Sequence, residues 1–201
     1  MQNTALLIVD VQNDFCPGGA LPVPEGDRVV PVLNRVAQHI ARQGGLIVAS
    51  RDWHPPTTCH FAAYGGKWPV HCVQHTPGAA FHPDLKLPAG TLIISKGMSE
   101  SDDGYSAFEG RAPDGRTLMQ ILQERGIRRL VVGGLATDYC VRASVLDALK
   151  HGFELQVLTD AVRGVDLQLG DSERALQEMQ AAGATLTTAE ELIQQEVSQH
   201  E

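Results

Sequence analysis

A chain of 201 residues with 43% hydrophobic and 20% charged residues can bury one substantial core and is short for two domains. Its formal net charge of −8 argues against nucleic acid or an anionic membrane as the main partner. No run approaches the roughly 18 apolar residues of a membrane span. Residues 1–15 lack the basic start and cleavage site of a signal peptide, so we expect one domain over 1–201 and a cytoplasmic location.

The first half of the chain contains three predicted strands. Residues 4–10, TALLIVD, are continuously apolar, as is typical of a strand buried on both faces. An amphipathic helix is predicted over 28–43, with Asp27 as its N-cap and glycines 44 and 45 at its end. Residues 45–52 and 91–96 are the next two strands, and the long irregular segment between them, 53–90, has the length of a functional loop.

The second half alternates regularly between helix and strand. Helices are predicted over 116–126, 137–152 and 171–183, strands over 128–134, 153–161 and 184–189, and a last helix follows. Such alternation indicates an α/β, Rossmann-like fold, with a mostly parallel sheet of five or six strands and helices on both faces. The four cysteines form no CxxC pair, and we expect them to be free thiols.

Reactive residue types stand where the predicted strands end. Asp10, Asp52 and Lys96 end the first three strands, and Cys140 begins the helix that follows the fourth. In open parallel sheets, ligands bind beyond the carboxyl ends of the strands. Two carboxylates, a lysine and a cysteine are therefore expected to converge on one edge of the sheet.

Cys140 is the candidate nucleophile. The sequence GGLATDYC leads from a strand directly into a helix, which places Cys140 in the first helical turn with Thr137 or Asp138 as the cap. The positive end of a helix stabilises a thiolate at such a position. The alternative is a small buried residue on the inner face of the helix.

Asp10 and Lys96 are the candidate partners of that cysteine. A carboxylate at the end of an apolar strand is costly to bury without a cation, and Lys96 provides one. In one interpretation the two form only a buried ion pair. In the other, Asp10 takes the thiol proton while Lys96 tunes both groups electrostatically.

A second constellation indicates a metal site. Asp52 and His54 lie two apart at a strand end and so point to the same side of the extended chain, and His60 and His71 follow in the irregular segment. A carboxylate with imidazoles suits zinc, manganese or iron. The alternative is a set of structural histidines.

Several longer motifs carry a family resemblance: LIVDVQNDFCPGG, RDWHP, KWPVHC with TPGAAFHPDL, ISKG and GGLATDYCVRASVLDAL. They resemble the isochorismatase-like cysteine hydrolases, and within them the enzymes of NAD salvage that convert nicotinamide to nicotinate and ammonia. The resemblance runs from about residue 4 to residue 188. It implies the isochorismatase-like hydrolase fold and a small aromatic amide as substrate, with a homo-oligomer left open.

The same resemblance assigns roles to individual residues. It implies Cys140 as nucleophile through a thioester, Asp10 as base, Lys96 as third member, and a cis peptide bond between Leu135 and Ala136. The backbone N–H groups of Ala136 and Cys140 would form the oxyanion hole. One divalent metal per chain, zinc first and iron or manganese next, would bind Asp52, His54 and His71. The pocket around the aromatic ring would be lined by Phe15, Trp68, Tyr105, Ala136 and Tyr139.

The chain departs from the family pattern at two places. Many members carry a histidine where this chain has Thr58, and His60 stands two residues later, so we treat His60 as a weaker candidate ligand. The segment GMSESDDGYSAFEG keeps the Ser-x-Phe of the family but is locally acidic, which leaves the edge of the substrate site open.

Two other functions compete with this one. A related cysteine amidohydrolase of carbamoyl or ureido compounds would use the same cysteine, but such relatives generally lack the DxH…H metal set. A non-catalytic metal-binding or redox-sensing module would release no ammonia from any amide.

Overall fold

Six strands form the sheet of the computed structural model, which describes residues 1–198: β1 (Thr4–Val9), β2 (Leu46–Asp52), β3 (Leu92–Lys96), β4 (Arg129–Leu135), β5 (Glu154–Arg163) and β6 (Thr185–Thr187). Every pairing is parallel, and the strand order is β3-β2-β1-β4-β5-β6. The predicted fold class is confirmed, with six strands that are all parallel. Residues 199–201 of the predicted domain lie outside the described residues.

Within the described residues, five α-helices cover the sheet: α1 (Val29–Arg42), α2 (Leu118–Glu124), α3 (Arg142–Lys150), α4 (Asp171–Ala181) and α5 (Ala189–Ser198). Buried residues of α1 and α5 belong to one hydrophobic cluster, and those of α2, α3 and α4 belong to another. The sheet separates the two clusters, so helices lie on both of its faces. None of the helices in residues 1–198 is long and apolar enough to cross a membrane.

The central strand β1 explains the continuous apolar run in the sequence. All of its residues are buried, and they alternate between the clusters, with Leu7 and Val9 on one side and Leu6 and Ile8 on the other. A large aliphatic side chain contributes about 1.5–3 kcal/mol when it is fully buried. Both faces of β1 are therefore core faces.

The start of α1 differs from the prediction. Asp27 is not the N-cap; it lies in a 3-10 turn, Gly26–Arg28, that leads directly into the helix, and no side chain caps α1. The N–H of Val29 already bonds to the carbonyl oxygens of that turn, which is why a side-chain cap is not needed there. The end of α1 is as predicted, since Gly44 adopts a φ of +78° just beyond it.

The irregular segment between β2 and β3 contains no strand or α-helix, as predicted. A backbone hydrogen bond from Trp53 N–H to the carbonyl of Lys96 ties it to the sheet, and one from His54 N–H to the carbonyl of Cys72 lies within the segment. Isolated bridges pair His54 with Val73 and Phe61 with Trp68. The segment is therefore held beside the carboxyl ends of β2 and β3.

The strand order reverses direction between β1 and β4, which is the point where parallel α/β sheets bind ligands. Gly134 of β4 has a φ of +124° there, and a Cβ at this position would lie 2.1 Å from the carbonyl oxygen of Val9. Only glycine allows the backbones of β1 and β4 to approach this closely. The two strands that lead to Asp10 and Cys140 therefore meet at the reversal.

Candidate active site and metal cluster

A buried lysine lies at the centre of the site. Lys96 ends β3, and its Nζ is 2.7 Å from Asp10 Oδ2, 2.5 Å from Asp52 Oδ1 and 3.4 Å from Cys140 Sγ. It also donates to the carbonyl oxygen of Gly104 at 2.7 Å. Because Asp52 and Lys96 are paired in the register of β2 and β3, their side chains emerge together. All four residues that the sequence placed at the strand ends are thus brought together.

The charges of this group support one another. Burial by itself would lower the pKa of Lys96, but the adjacent carboxylates of Asp10 and Asp52 outweigh it and raise that pKa well above its usual value. Burial would raise the pKa of Asp52, but the positive charge of the adjacent Lys96 holds it well below its usual value. The group therefore contains a lysinium and an ionised Asp52.

Asp10 differs from Asp52 in its proton affinity. Burial raises the pKa of Asp10, and the negative charge of Asp52 raises it further. The positive charge of Lys96 lowers it, but the net effect is a raised pKa. The carboxylate also accepts a hydrogen bond from Ser50 Oγ at 2.8 Å. Its backbone has a φ of +50°, a conformation that costs a non-glycine residue about 1–3 kcal/mol and is concentrated at functional sites. A carboxylate with a raised pKa is a stronger base than an ordinary aspartate.

Cys140 lies in a π-helical turn, Thr137–Val141, that precedes α3. The predicted position at the start of a helix is confirmed, but neither Thr137 nor Asp138 caps it. The Asp138 carboxylate instead accepts hydrogen bonds from the backbone N–H groups of Val165 and Asp166. These hydrogen bonds tie the turn to the loop after β5.

The protonation of Cys140 also differs from the expectation. Burial raises the pKa of the thiol well above its usual value, and although Lys96 lowers it, Asp10 and Asp52 raise it further. The sequence led us to expect a thiolate stabilised by the helix, whereas the structure favours a thiol. Its Sγ lies within 4.8 Å of carboxylate oxygens of Asp10 and Asp52, so an acceptor for the proton is close by.

The predicted metal ligands converge beside this group. His54, His60 and His71 each offer a ring nitrogen, and these three nitrogens lie within 4.8 Å of one another. Asp52 Oδ2 is 3.4 Å from His54 Nε2 and 3.7 Å from His71 Nε2. All four side chains are buried. His60, the weaker candidate in the sequence, is part of the cluster, whereas Thr58 donates its hydroxyl to the carbonyl of Glu100.

The hydrogen bonds of the three histidines fit a metal. Each Nδ1 contacts an oxygen acceptor: the carbonyl of Gly97 for His54, that of Pro69 for His71, and the carboxylate of Asp103 for His60. Such partners fix the proton on Nδ1 and leave Nε2 as a lone pair, as in metal-binding histidines. His54 Nε2 is buried and has no hydrogen-bond partner among residues 1–198. Three imidazoles and one carboxylate are a donor set that suits a divalent transition metal.

Asp52 links the two constellations that the sequence presented separately. One carboxylate oxygen contacts Lys96, and the other faces His54 and His71. The candidate metal cluster and the charged group around Lys96 therefore share the side chain of Asp52. A change at Asp52 is expected to affect both.

A pocket opens between the two groups. Its walls include Cys140 and the metal-cluster residues Asp52, His60 and His71, together with all five residues predicted to surround an aromatic ring: Phe15, Trp68, Tyr105, Ala136 and Tyr139. Trp68 Nε1 donates to the Tyr105 hydroxyl at 2.9 Å, and the ring of Trp68 lies edge-on to that of Tyr139. The peptide bond between Leu135 and Ala136 is cis, as the resemblance implied.

Some polar residues of the site were not singled out from the sequence. Ser50 donates to Asp10, and the buried Gln12 side chain bonds both the N–H and the carbonyl of Asp52. Gln12 stands two residues after Asp10, and a polar residue this close to the end of an apolar strand is a signal that could have found it. The Asp103 contact with His60 depends on the conformation of a loop, which no residue spacing predicts.

Comparisons with known proteins identify sequences and structures similar to this chain. The isochorismatase domain family matches residues 4–191. The nicotinamidase of Escherichia coli strain K12 is 45% identical over 204 residues, which is 94% of this chain and 96% of the E. coli protein.

Two solved structures share the fold closely. The pyrazinamidase of Pyrococcus horikoshii in complex with zinc is 48% identical, with 92% of this chain and 99% of that chain covered and a TM-score of 0.85. PnC1 from L. infantum in complex with nicotinate is 33% identical, with 94% of this chain and 95% of that chain covered and a TM-score of 0.83.

Proposed function

The chain belongs to the isochorismatase family, and from this premise we propose that it is a nicotinamidase, a hydrolase that converts nicotinamide to nicotinate and ammonia. The observation that carries the proposal is the buried contact of Cys140 with Lys96, with Asp10 beside both, where Cys140 lines an aromatic pocket next to a candidate metal-binding cluster. Nicotinamide offers one feature to each part: a carboxamide, an aromatic ring and a ring nitrogen.

Cys140 attacks the carboxamide carbon in this proposal. Its thiol proton passes to the carboxylate of Asp10 as the C–S bond forms, since Asp10 is the adjacent base with a raised pKa. The developing oxyanion is held by the backbone N–H groups of Ala136 and Cys140. Asp10 returns the proton to the amine, ammonia leaves, and a thioester remains on Cys140. Water, deprotonated by Asp10, then cleaves the thioester and releases nicotinate and the thiol.

Lys96 supplies a fixed positive charge in this reaction. It stays protonated, because the two carboxylates raise its pKa. From 3.4 Å it stabilises the negative charge that Cys140 acquires when the proton leaves. It thereby lowers the cost of forming a thiolate that burial alone would make expensive.

The metal and the aromatic wall position the substrate. We propose that Asp52, His54, His60 and His71 hold one zinc per chain, with iron or manganese as other occupants of the same donor set. When bound, such an ion offers a Lewis-acid site for the ring nitrogen. Phe15, Trp68 and Tyr139 contact the ring faces and edges, so that the carboxamide is presented to Cys140.

Nicotinamide and benzamide test whether the ring nitrogen is read. They share shape and carboxamide, but benzamide lacks that nitrogen. A site built around one polar contact rejects an analogue without it by roughly 10⁴-fold or more, whereas an apolar pocket discriminates about 10- to 200-fold. We expect kcat/KM for benzamide to be lower than that for nicotinamide by well over two orders of magnitude in the wild type. In His71→Ala the difference between the two substrates should be smaller. Equal rates on both amides would contradict the proposal.

A panel that includes a carbamoyl compound separates the competing amidase. The carbamoyl amidohydrolase function would be favoured if ammonia were released fastest from the carbamoyl compound and if the protein remained fully active without metal. We expect nicotinamide to be the preferred substrate.

A further inference from the structure

We propose that Asp103 is a positioning residue that holds His60 in place as a fourth protein ligand of the metal. The proposal deepens the metal site described above and rests on it. Asp103 Oδ1 lies 2.9 Å from His60 Nδ1. The His60 side chain is 4% exposed and that of Asp103 is 61% exposed, so a surface carboxylate reaches inward to a buried imidazole.

His60 depends on a side chain in a way that the other two histidines do not. His54 and His71 are oriented by backbone carbonyls of Gly97 and Pro69, which the fold fixes regardless of side-chain identity. The acceptor for His60 is a carboxylate that a single substitution removes. A carboxylate partner fixes the tautomer and raises the basicity of the imidazole as a ligand, and loss of such a partner typically weakens metal binding by 10- to 100-fold.

The loop that carries Asp103 is anchored on both sides. The carbonyl of Gly97 accepts from His54, the carbonyl of Gly104 accepts from Lys96, and the carbonyl of Glu100 accepts from the N–H of Cys59. A Cβ at Gly97 would lie 2.5 Å from His54 Cε1, so the loop contacts that ring directly. Despite its exposure, the Asp103 carboxylate is therefore preset toward His60. In the acidic segment GMSESDDGYSAFEG, Asp103 thus has a specific role, which is to orient His60.

Metal affinity, measured by competition with a chelator on the purified full chain, tests the proposal. We expect Asp103→Ala to weaken zinc binding by about 10- to 100-fold. Asp103→Asn keeps a hydrogen-bond acceptor for Nδ1–H and should lose less. The matched control is Asp102→Asn, which removes the same charge from the neighbouring exposed residue and should change affinity by less than about 3-fold.

A double-mutant cycle shows whether Asp103 acts through His60. In a His60→Ala background, Asp103→Ala should add no further loss of zinc affinity. The visible spectrum of the cobalt-substituted protein should change in the same direction for Asp103→Ala and His60→Ala but less for Asp103→Ala, because His60 loses its orientation in the first variant and is removed in the second. An unchanged affinity in Asp103→Ala, or an equal loss in the His60→Ala background, would overturn the role of Asp103. Wild-type protein that binds no divalent metal would overturn the metal site itself.

Discussion

Lys96 is the residue on which the electrostatics of the site depend. Its side chain is fully buried between Asp10 and Asp52, and neither carboxylate has solvent to compensate for its loss. Breaking a buried ion pair by removing one partner is strongly destabilising, because the remaining charge stays buried. Lys96 is therefore a structural cation, and in the proposed reaction it also lies beside the nucleophile.

Substitution of Lys96 by methionine should destabilise the protein by about 3–5 kcal/mol in denaturant unfolding of metal-free protein. The control is Lys150→Met, since Lys150 is 77% exposed and its contact with Asp147 at 3.6 Å lies on the surface. Surface pairs of that kind contribute about 0–1 kcal/mol. Equal effects of the two substitutions would contradict the buried ion group.

The residue types at strand ends and the pairing of Asp10 with Lys96 could be predicted from the sequence, but the contact of Lys96 with Asp52 could not. The apolar runs identified β1, β3 and β4, and parallel strands bring their carboxyl ends to one edge, so Asp10, Lys96 and Cys140 could be grouped from sequence. That Lys96 contacts Asp52 as well as Asp10 follows from the register of β2 and β3, which the sequence does not specify. The raised pKa of Cys140 follows from burial, which is equally invisible in the sequence.

At the scale of elements, the close approach of β1 and β4 determines where the site forms. Gly134 permits that approach, since any Cβ there would overlap the backbone of Val9. The irregular segment between β2 and β3 was predicted to be functional from its length alone, and it contributes His54, His60, Trp68 and His71. Its path could not be predicted, because it is fixed by isolated bridges and single hydrogen bonds rather than by a repeating pattern.

Gly134→Ala should destabilise the protein far more than an ordinary glycine substitution. The new Cβ would meet Val9 O at 2.1 Å in a backbone with a φ of +124°, so β1 and β4 would have to separate. Gly126→Ala is the control, with a φ of +63° but nothing within 4 Å of the added Cβ. We expect about 1 kcal/mol for Gly126→Ala, from backbone strain alone. For Gly134→Ala we expect more than about 3 kcal/mol or failure to fold, and similar unfolding midpoints would contradict the required approach.

At the scale of the whole molecule, fold, metal and reaction are coupled through Asp52. Its carboxylate contacts Lys96 through one oxygen and faces the histidines with the other. A bound metal cation would therefore offset part of the negative charge of the buried carboxylates. A ligand that binds only the folded state also stabilises it, by about 2.7 kcal/mol at a hundred times its dissociation constant.

Removal of the metal should therefore have two effects. Dialysis against a chelator is expected to lower kcat/KM for nicotinamide by at least about 100-fold and to lower the thermal unfolding midpoint, and one equivalent of zinc should restore both. Elemental analysis before and after dialysis provides the stoichiometry. Full activity in protein shown to be metal-free would contradict a role for the cluster in this reaction.

The central claim is that Cys140 hydrolyses nicotinamide. The most direct test is the release of nicotinate and ammonia from nicotinamide by the wild type and by Cys140→Ala, assayed side by side with folded protein of equal metal content. The account predicts equimolar nicotinate and ammonia from the wild type and no turnover above background from Cys140→Ala, because no thioester can form. Absence of nicotinate with the metal-loaded wild type, or substantial turnover by Cys140→Ala, would contradict it.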